Sequence, residues 1–405
     1  MSGWRTYRIA DLGRVVTGKT PPSSQPELFD GAIPFITPSD MSFDCRHIST
    51  ERFVSADWDR KQRTLLPEGA VCVVSIGATI GKICMSSKPS QTNQQVNSVI
   101  VDQARFDQGF AYYALRTKAD ELMARAAGAA TPIINKTAFS EVEIDAPPLE
   151  TQRRIASILG AYDDLIEVNR RRIAVLEEMA RGLFESFVTK VIGELPPASG
   201  GSGNAALPDG WHISDLRDIT EIIMGQSPPS EELNKDGDGF PFHQGVTDFG
   251  PLFPRRRIFC VPSSKKKIAA TGDILFSVRA PVGRINLATE EVVLGRGVSS
   301  FRSTIGTQHY LTAHLRATFY EPDLIGNGSI YKAVGRNDIQ RIPIVLPPAE
   351  IRAELDVKIA SIYDLLWTLE QSNKALAASR DLLLPRLISG QLSVAEATRQ
   401  LEEAA

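Results

Sequence analysis

Positive charge is concentrated in one stretch of the chain. Arg255-Arg256-Arg257 and Lys265-Lys266-Lys267 place six cations within thirteen residues, with Phe253, Ile258 and Phe259 among or beside them. Arginine and lysine at this density suit duplex phosphates, and an arginine can pair bidentately with a guanine edge. A solvated charged loop would show the same residues. In a chain of net charge -3, however, crowding six cations together costs self-repulsion that a polyanion relieves. In the first half the candidates are sparser: Lys19, Arg46, Arg60, Lys61, Arg63 and Lys82. Asn93, Gln94 and Gln95 add amides able to pair with adenine, although three amides in a row also make an ordinary surface loop. The loop Gly77-Ala78-Thr79-Ile80-Gly81-Lys82 invites a nucleotide phosphate-loop reading and fails it. Three residues separate the glycines where four are needed, and Ile83 stands where a Ser or Thr should reach magnesium. A tight turn remains, either purely structural or carrying one cation to a backbone contact. The second half keeps a cation at the matching place, Arg284, and adds Arg279, which favours the contact.

Catalytic constellations are missing. No glycine-rich cofactor fingerprint follows an early strand, and there is no HExxH, no nucleophile elbow and no acidic trio with a lysine. Asp145-Ala146-Pro147-Pro148 lacks the aromatic that a base-methylating motif uses to stack a flipped base. Cys45, Cys72, Cys84 and Cys260 form no CxxC pair and no disulfide framework. His309 and His314 are five apart, the wrong spacing for one helical face. No apolar run is long enough to cross a bilayer, and the opening residues lack the apolar core of a signal peptide. These observations imply a cytoplasmic, metal-free recognition protein whose chemistry sits in partners.

The elements that position these residues come twice. With 405 residues, 42% hydrophobic and 23% charged, the chain suits two to four folded domains. After Pro147-Pro148 an uninterrupted helical pattern runs to about Lys190, a rod of about 60 Å. Ile166, Ile173, Ala180 and Phe187 form one seam position, and Asn169, Leu176 and Leu183 the other, a coiled-coil repeat. Pro347-Pro348 opens a second such helix with Leu355, Ile359, Ile362, Leu366, Leu369, Leu376 and Leu383 on one stripe and Asn373 within it. A seam asparagine fixes register, or is a polar residue at a helix edge. Before each helix the same features recur in order at offsets of 200 to 208. Trp4 answers Trp211, Thr17-Gly18-Lys19-Thr20-Pro21-Pro22 answers Met224-Gly225-Gln226-Ser227-Pro228-Pro229, and the strand at 68–76 answers 271–279. Residues 193–210 are a linker by composition. The organisation is mixed α/β: globular unit, rod, globular unit, rod. Antiparallel packing of the rods would relate the units by a pseudo-twofold axis and let them face a duplex at two positions. A coiled-coil assembly scaffold without DNA is the competing reading.

Pro147-Pro148-Leu149-Glu150-Thr151-Gln152-Arg153-Arg154-Ile155-Ala156-Ser157-Ile158-Leu159, continued by Asp163 and Ile166, together with the terminal Leu384-Pro385-Arg386-Leu387-Ile388-Ser389-Gly390-Gln391-Leu392, resembles the specificity subunit of type I restriction-modification systems. The resemblance covers almost all of residues 1–392. It implies target-recognition domains at 1–146 and 211–346, conserved helical regions at 147–192 and 347–392 forming an antiparallel coiled coil, and a tail at 393–405. Each recognition domain would read one half of a bipartite, asymmetric site in double-stranded DNA. The resemblance further implies an adaptor without catalytic activity, binding two methylation subunits that use S-adenosylmethionine and, in the full complex, two restriction subunits that use ATP and magnesium. The second helical region departs from the pattern, with Ala349 and Arg352 where the first has Leu149 and Gln152.

Overall fold

The computed structural model describes residues 3–126, 132–199, 207–261, 267–320 and 333–404. The chain forms two compact units, Met1–Asn169 with Ser372–Ala405, and Arg170–Gln371. Each is α/β and each takes a part of both long helices, Leu149–Phe184 and Ala349–Ile388.

In the first unit the strands Gly13–Thr17, Val96–Val101, Val71–Val74, Ile83–Ser86 and His47–Ile48 lie side by side in that order. The pairs are antiparallel except the last. Val71-Cys72-Val73-Val74 is a β-favouring run with no exposed position, the pattern of a strand covered on both faces. Its alternation sorts the side chains. Val71 and Val73 join the core under the helix Gln108–Arg116, while Cys72 and Val74 join Ile36, Met41 and Ile48 on the other face. A smaller sheet, Phe53–Val54, Ile33–Ile36 and Gln91–Thr92, packs with the helix Ala56–Gln62 around Leu28, Phe35, Val54 and Trp58. Ser55 caps that helix through Trp58 N, and Arg63 ends it in the left-handed conformation at φ 54°.

Both chain ends close this unit. Arg5–Arg8 pairs with Glu143–Ala146, and Leu384, Leu387, Ile388, Leu392 and Ala397 are buried in the core beneath it. The segment expected as a tail is therefore largely the helix Val394–Ala404, which buries Ala397. Within the unit the two long helices are antiparallel, since Asp163 meets Arg380 and Asn169 meets Asn373. Asn169 Nδ2 donates to Asn373 Oδ1 at 3.0 Å and approaches Ser372 Oγ at 3.4 Å. Ile166 and Asn169 are buried; Asn373 and Leu376 are half-buried. Arg380 and Asp163 occupy the same seam, 2% and 7% exposed, and Asp163 also accepts from Tyr113 Oη.

In the second unit Thr220–Met224, Val298–Ser303, Ile274–Ser277 and Ile285–Leu287 form an antiparallel sheet. A second sheet runs Leu233–Asn234, Phe259–Cys260, Phe240–His243, Val292–Leu294, Ile268–Ala269. Ile274 and Phe276 point to the core beneath the helix Gln308–Thr318 and Leu275 to the opposite one, the same sorting as in the first unit. Leu355, Ile362, Leu366 and Leu369 are buried here, and Ile173, Leu176 and Leu183 are half-buried against the core. The stripe of the first helix drifts from the heptad after Ala180, and Phe184 and Val188 are buried instead of Leu183 and Phe187. The cause is the neighbour: Phe184 packs on the rings of Tyr310 and His314 of the globular part, and the turn Glu185–Thr189 widens to a π-helix.

The departure at Arg352 has a structural answer. Gln152 ties the first helix opening to two places, accepting from Asp107 N at 2.9 Å and donating to Pro147 O at 2.8 Å. Arg352 keeps only the second bond, to Pro347 O at 3.3 Å, and its buried Nε has no partner among the described residues. One turn later Asp356 receives Tyr310 N at 2.8 Å, the capping bond that Asp107 Oδ1 accepts from Phe110 N in the first unit.

Candidate nucleic-acid interface

In each unit four loops gather at one end of the sheet that holds Gly13–Thr17 in the first unit and Thr220–Met224 in the second, held by backbone bonds. In the first unit Gly18 N bonds Val96 O, Asn93 N bonds Ile36 O, and Ser75 N bonds Gln95 O. These contacts bring Lys19, Gln94, Gln95 and the start of the 77–82 turn together. In the second unit the corresponding bonds are Gly225 N to Val298 O, Gly295 N to His243 O, and Val278 N to Gly297 O. They gather Gln226, Ser227, Gln244, Arg296 and Arg279. A Cβ on Gly18 would lie 2.0 Å from Thr92 O, and one on Gly225 2.2 Å from Gly295 O, so the loops close this tightly only with glycine there.

The basic turn is equivalent in the two units. Gly81 N bonds Val74 O and Val74 N bonds Lys82 O; Gly283 N bonds Ser277 O and Ser277 N bonds Arg284 O. The side chains differ. Lys82 is half-buried and donates to Pro38 O at 3.2 Å, while Arg284 is exposed. Arg279, Arg284 and Arg296 are exposed and have no carboxylate partner among the described residues. Lys19 is exposed likewise.

Other sequence candidates are placed differently. Asn93 is 7% exposed, and its amide folds the turn, Oδ1 accepting Gln95 N and Nδ2 donating to Gln95 Oε1, so it presents no free edge. Gln94 is exposed and its Oε1 accepts from Thr20 Oγ1 at 2.6 Å. Arg46 is taken up within the first unit by Asp164 and by Gly160 O at 3.4 Å, a tie from the globular part to the helix. Arg60, Lys61 and Arg63 lie on or just after the small helix Ala56–Gln62, with Arg60 paired to Asp57, and none bonds to the loop cluster.

The dense basic stretch is not a field of unpaired cations. Arg257 grips Asp248 through Nε at 2.5 Å and Nη2 at 3.2 Å, and Arg256 grips Glu290 at 2.6 and 3.0 Å. Burial of Asp248 opposes its ionisation, but the neighbouring His243 ring, 3.8 Å away, and the hydrogen bonds from Arg257 outweigh it and hold the carboxyl below the usual range. Arg255 and Lys267 remain exposed; Lys265 and Lys266 lie outside the described residues. The expectation that the whole cluster needs a polyanion is thus corrected for Arg256 and Arg257, whose charges are met by acids outside the cluster, Glu290 and Asp248.

Gln226, Gln244 and Arg296 were not singled out from the sequence. Arg296 stands alone between two glycines, which signals a turn. The available clue was the repeat, because Gln94 precedes Val96 as Arg296 precedes Val298.

Among the described residues no helix is long and apolar enough to cross a membrane, and no group of three His, Cys, Asp or Glu could hold a metal ion. The family model of the type I restriction modification DNA specificity domain matches residues 1–178 and again 208–377. The chain is 31% identical over 265 residues to a Methanocaldococcus jannaschii protein assigned as the type I restriction enzyme MjaX specificity subunit, covering 64% of this chain and 62% of that one. With the type I restriction enzyme MjaIX specificity subunit of the same organism, identity is 25% over 415 residues, 97% of this chain and 94% of the other. The crystal structure of a type I restriction-modification system S subunit from M. genitalium shares the fold, with a TM-score of 0.59 at 17% identity over 95% of this chain and 96% of that one. With a match in each half of a duplicated chain, this protein belongs to the type I restriction-modification DNA specificity family.

Proposed function

We propose that each unit reads one half of a bipartite, asymmetric duplex site through its loop cluster. The observation that carries this reading is that the two clusters share their backbone wiring and differ at their tips. Lys19 corresponds to Gln226, Gln94 to Arg296 and Ile76 to Arg279. One scaffold with two sets of exposed side chains is what two unlike half-sites require. The exposed arginines and Lys19 would take phosphates, and the exposed amides would face base edges in the major groove.

On this reading the chain is a non-catalytic adaptor. Methyl transfer from S-adenosylmethionine to adenine belongs to two methylation subunits, and ATP- and magnesium-dependent translocation and cutting to two restriction subunits. Support for docking comes from apolar residues left exposed on the long helices, Leu165 and Leu382 in the first unit and Val175 and Met179 in the second.

The test is methylation mapping of DNA exposed to the chain with and without the methylation subunit of its own system. Adenine methylation at one split motif, requiring both chains, is the expected result. Exchange of residues 211–346 should change only one half of that motif. If the two proteins bind each other, the methyl donor is present and no motif appears, the recognition reading is wrong and a scaffold remains. Duplex affinity should fall with salt by a slope of about -0.9 per phosphate contact, which a scaffold without DNA would not show.

A further inference from the structure

Resting on that reading, we propose that Gln94 and Arg296 are the matched specificity positions of the two units, Gln94 selecting adenine and Arg296 selecting guanine in their respective half-sites. The two residues are equivalent by three independent backbone bonds on either side of them, to the strand before, the strand after and the neighbouring loop. Each is exposed at the tip of its cluster. Each also sits against the same partner, a hydroxyl of the glycine loop. Thr20 Oγ1 donates to Gln94 Oε1 at 2.6 Å, and Ser227 Oγ accepts from Arg296 N at 3.4 Å.

These contacts orient the two side chains differently. The Thr20 bond occupies one lone pair of the Gln94 amide and leaves its NH2 and the second lone pair, one donor and one acceptor side by side. Adenine presents the complementary acceptor N7 and donor N6. Ser227 holds Arg296 only by its backbone and itself donates to Gln244 Oε1 at 3.0 Å, so the guanidinium is left whole. With no carboxylate partner among the described residues, its fork of donors matches the N7 and O6 acceptors of guanine. Arg279 and Arg284 lie on the neighbouring turn, where they suit phosphates that fix register.

The experiment is selection from a pool of randomised duplexes by the chain bound to its methylation subunit, for the unaltered chain and for Arg296→Gln, Arg296→Lys and Gln94→Arg. Thermal melting checks that each variant is folded. Arg296→Gln should convert one guanine to adenine in one half of the motif and leave the other half untouched. Gln94→Arg should make the reverse change in the other half, each with a preference of about 5- to 150-fold for the new base. Arg296→Lys keeps the charge and loses the fork, so the guanine preference should drop while the salt slope stays. The proposal is overturned if the motifs are unchanged, or if Arg296→Gln weakens all sequences alike and lowers the salt slope, which marks a phosphate contact. If the unaltered chain enriches no motif at all, duplex reading itself is refuted, and this assignment with it.

Discussion

Replacing Arg380 with Met should unfasten the first unit from the inside. The guanidinium is 2% exposed and donates to Asp163 Oδ1 at 2.5 Å; Asp163 is 7% exposed and has Tyr113 Oη on its other oxygen. Arg380 also reaches Asp381 Oδ1 at 2.9 Å, but that carboxylate is half in solvent, and such a contact contributes about 0–1 kcal/mol. The cost of Arg380→Met is therefore set by Asp163, a buried carboxylate left with one hydroxyl, and is about 3–5 kcal/mol. Adding Asp163→Asn removes the stranded charge and keeps an acceptor for Tyr113. The double variant should return to within about 1–2 kcal/mol of the parent. Because two units share the chain, a single denaturation midpoint is not a sound measure. Amide hydrogen exchange read by peptide is, and protection of residues 149–169 and 372–388 should drop by roughly two to four decades in the single variant. Residues of the second unit should be unaffected. A loss below about 1 kcal/mol, or a double variant as damaged as the single one, would refute a charge-paired seam.

Burial pushes the His314 imidazole down to about 3, and its Nε2 accepts Val345 N at 3.0 Å, so the folded state keeps it neutral. The unfolded chain takes up a proton below about 6.5 that the folded one refuses. Stability of the second unit should then fall as pH drops from about 6.5 towards 3, by up to roughly 1.4 kcal/mol per pH unit, and His314→Gln should flatten that limb, read by amide exchange of peptides from residues 308–318 and 343–346. Asn373→Ala takes the acceptor from Asn169 Nδ2 and should cost about 1–3 kcal/mol, with the double alanine variant losing less than the sum, measured by exchange of the same helical peptides. Arg352→Gln should keep the bond to Pro347 O, as Gln152 bonds Pro147 O, and remove an unpartnered Nε, raising stability of the second unit by about 0.5–1.5 kcal/mol; amide exchange of peptides from residues 349–371 would check it.

The repeat, the α/β character and the long helices were legible because they are written in local patterns: apolar periodicity, proline pairs, glycine turns. Lys82 and Arg284 were correctly matched for the same reason, since the backbone bonds of that turn depend on a short stretch. Charge was harder. The density of Arg255, Arg256 and Arg257 says nothing of Asp248 and Glu290, which reach two of them only after the chain folds. Asn93 looked like one of three equal amides, yet the fold closes its edge on Gln95. Arg380 escaped notice although it falls on the heptad stripe between Asn373 and Leu387, because a cation at a seam position is intelligible only with its partner Asp163. Val394 to Ala404 is composed largely of helix formers, but that this helix closes the first core, burying Ala397, is visible only with the rest of that core in place.

The first unit is assembled from both ends of the chain, and this sets an order of completion during synthesis. Residues up to Asn169 leave the ribosome first, but Ser372 to Ala404, which supply Arg380, Leu387 and Leu392 to the same core, come last. At about 5–20 residues per second the intervening stretch occupies roughly 10–40 s. For that interval Asp163 lacks its cation and the apolar surface of Ile155 and Leu159 awaits its cover, while Arg170–Gln371 is contiguous and can close on itself. The unit begun first is finished last. A chain halted before Ser372 would carry an intact second unit and an open first one.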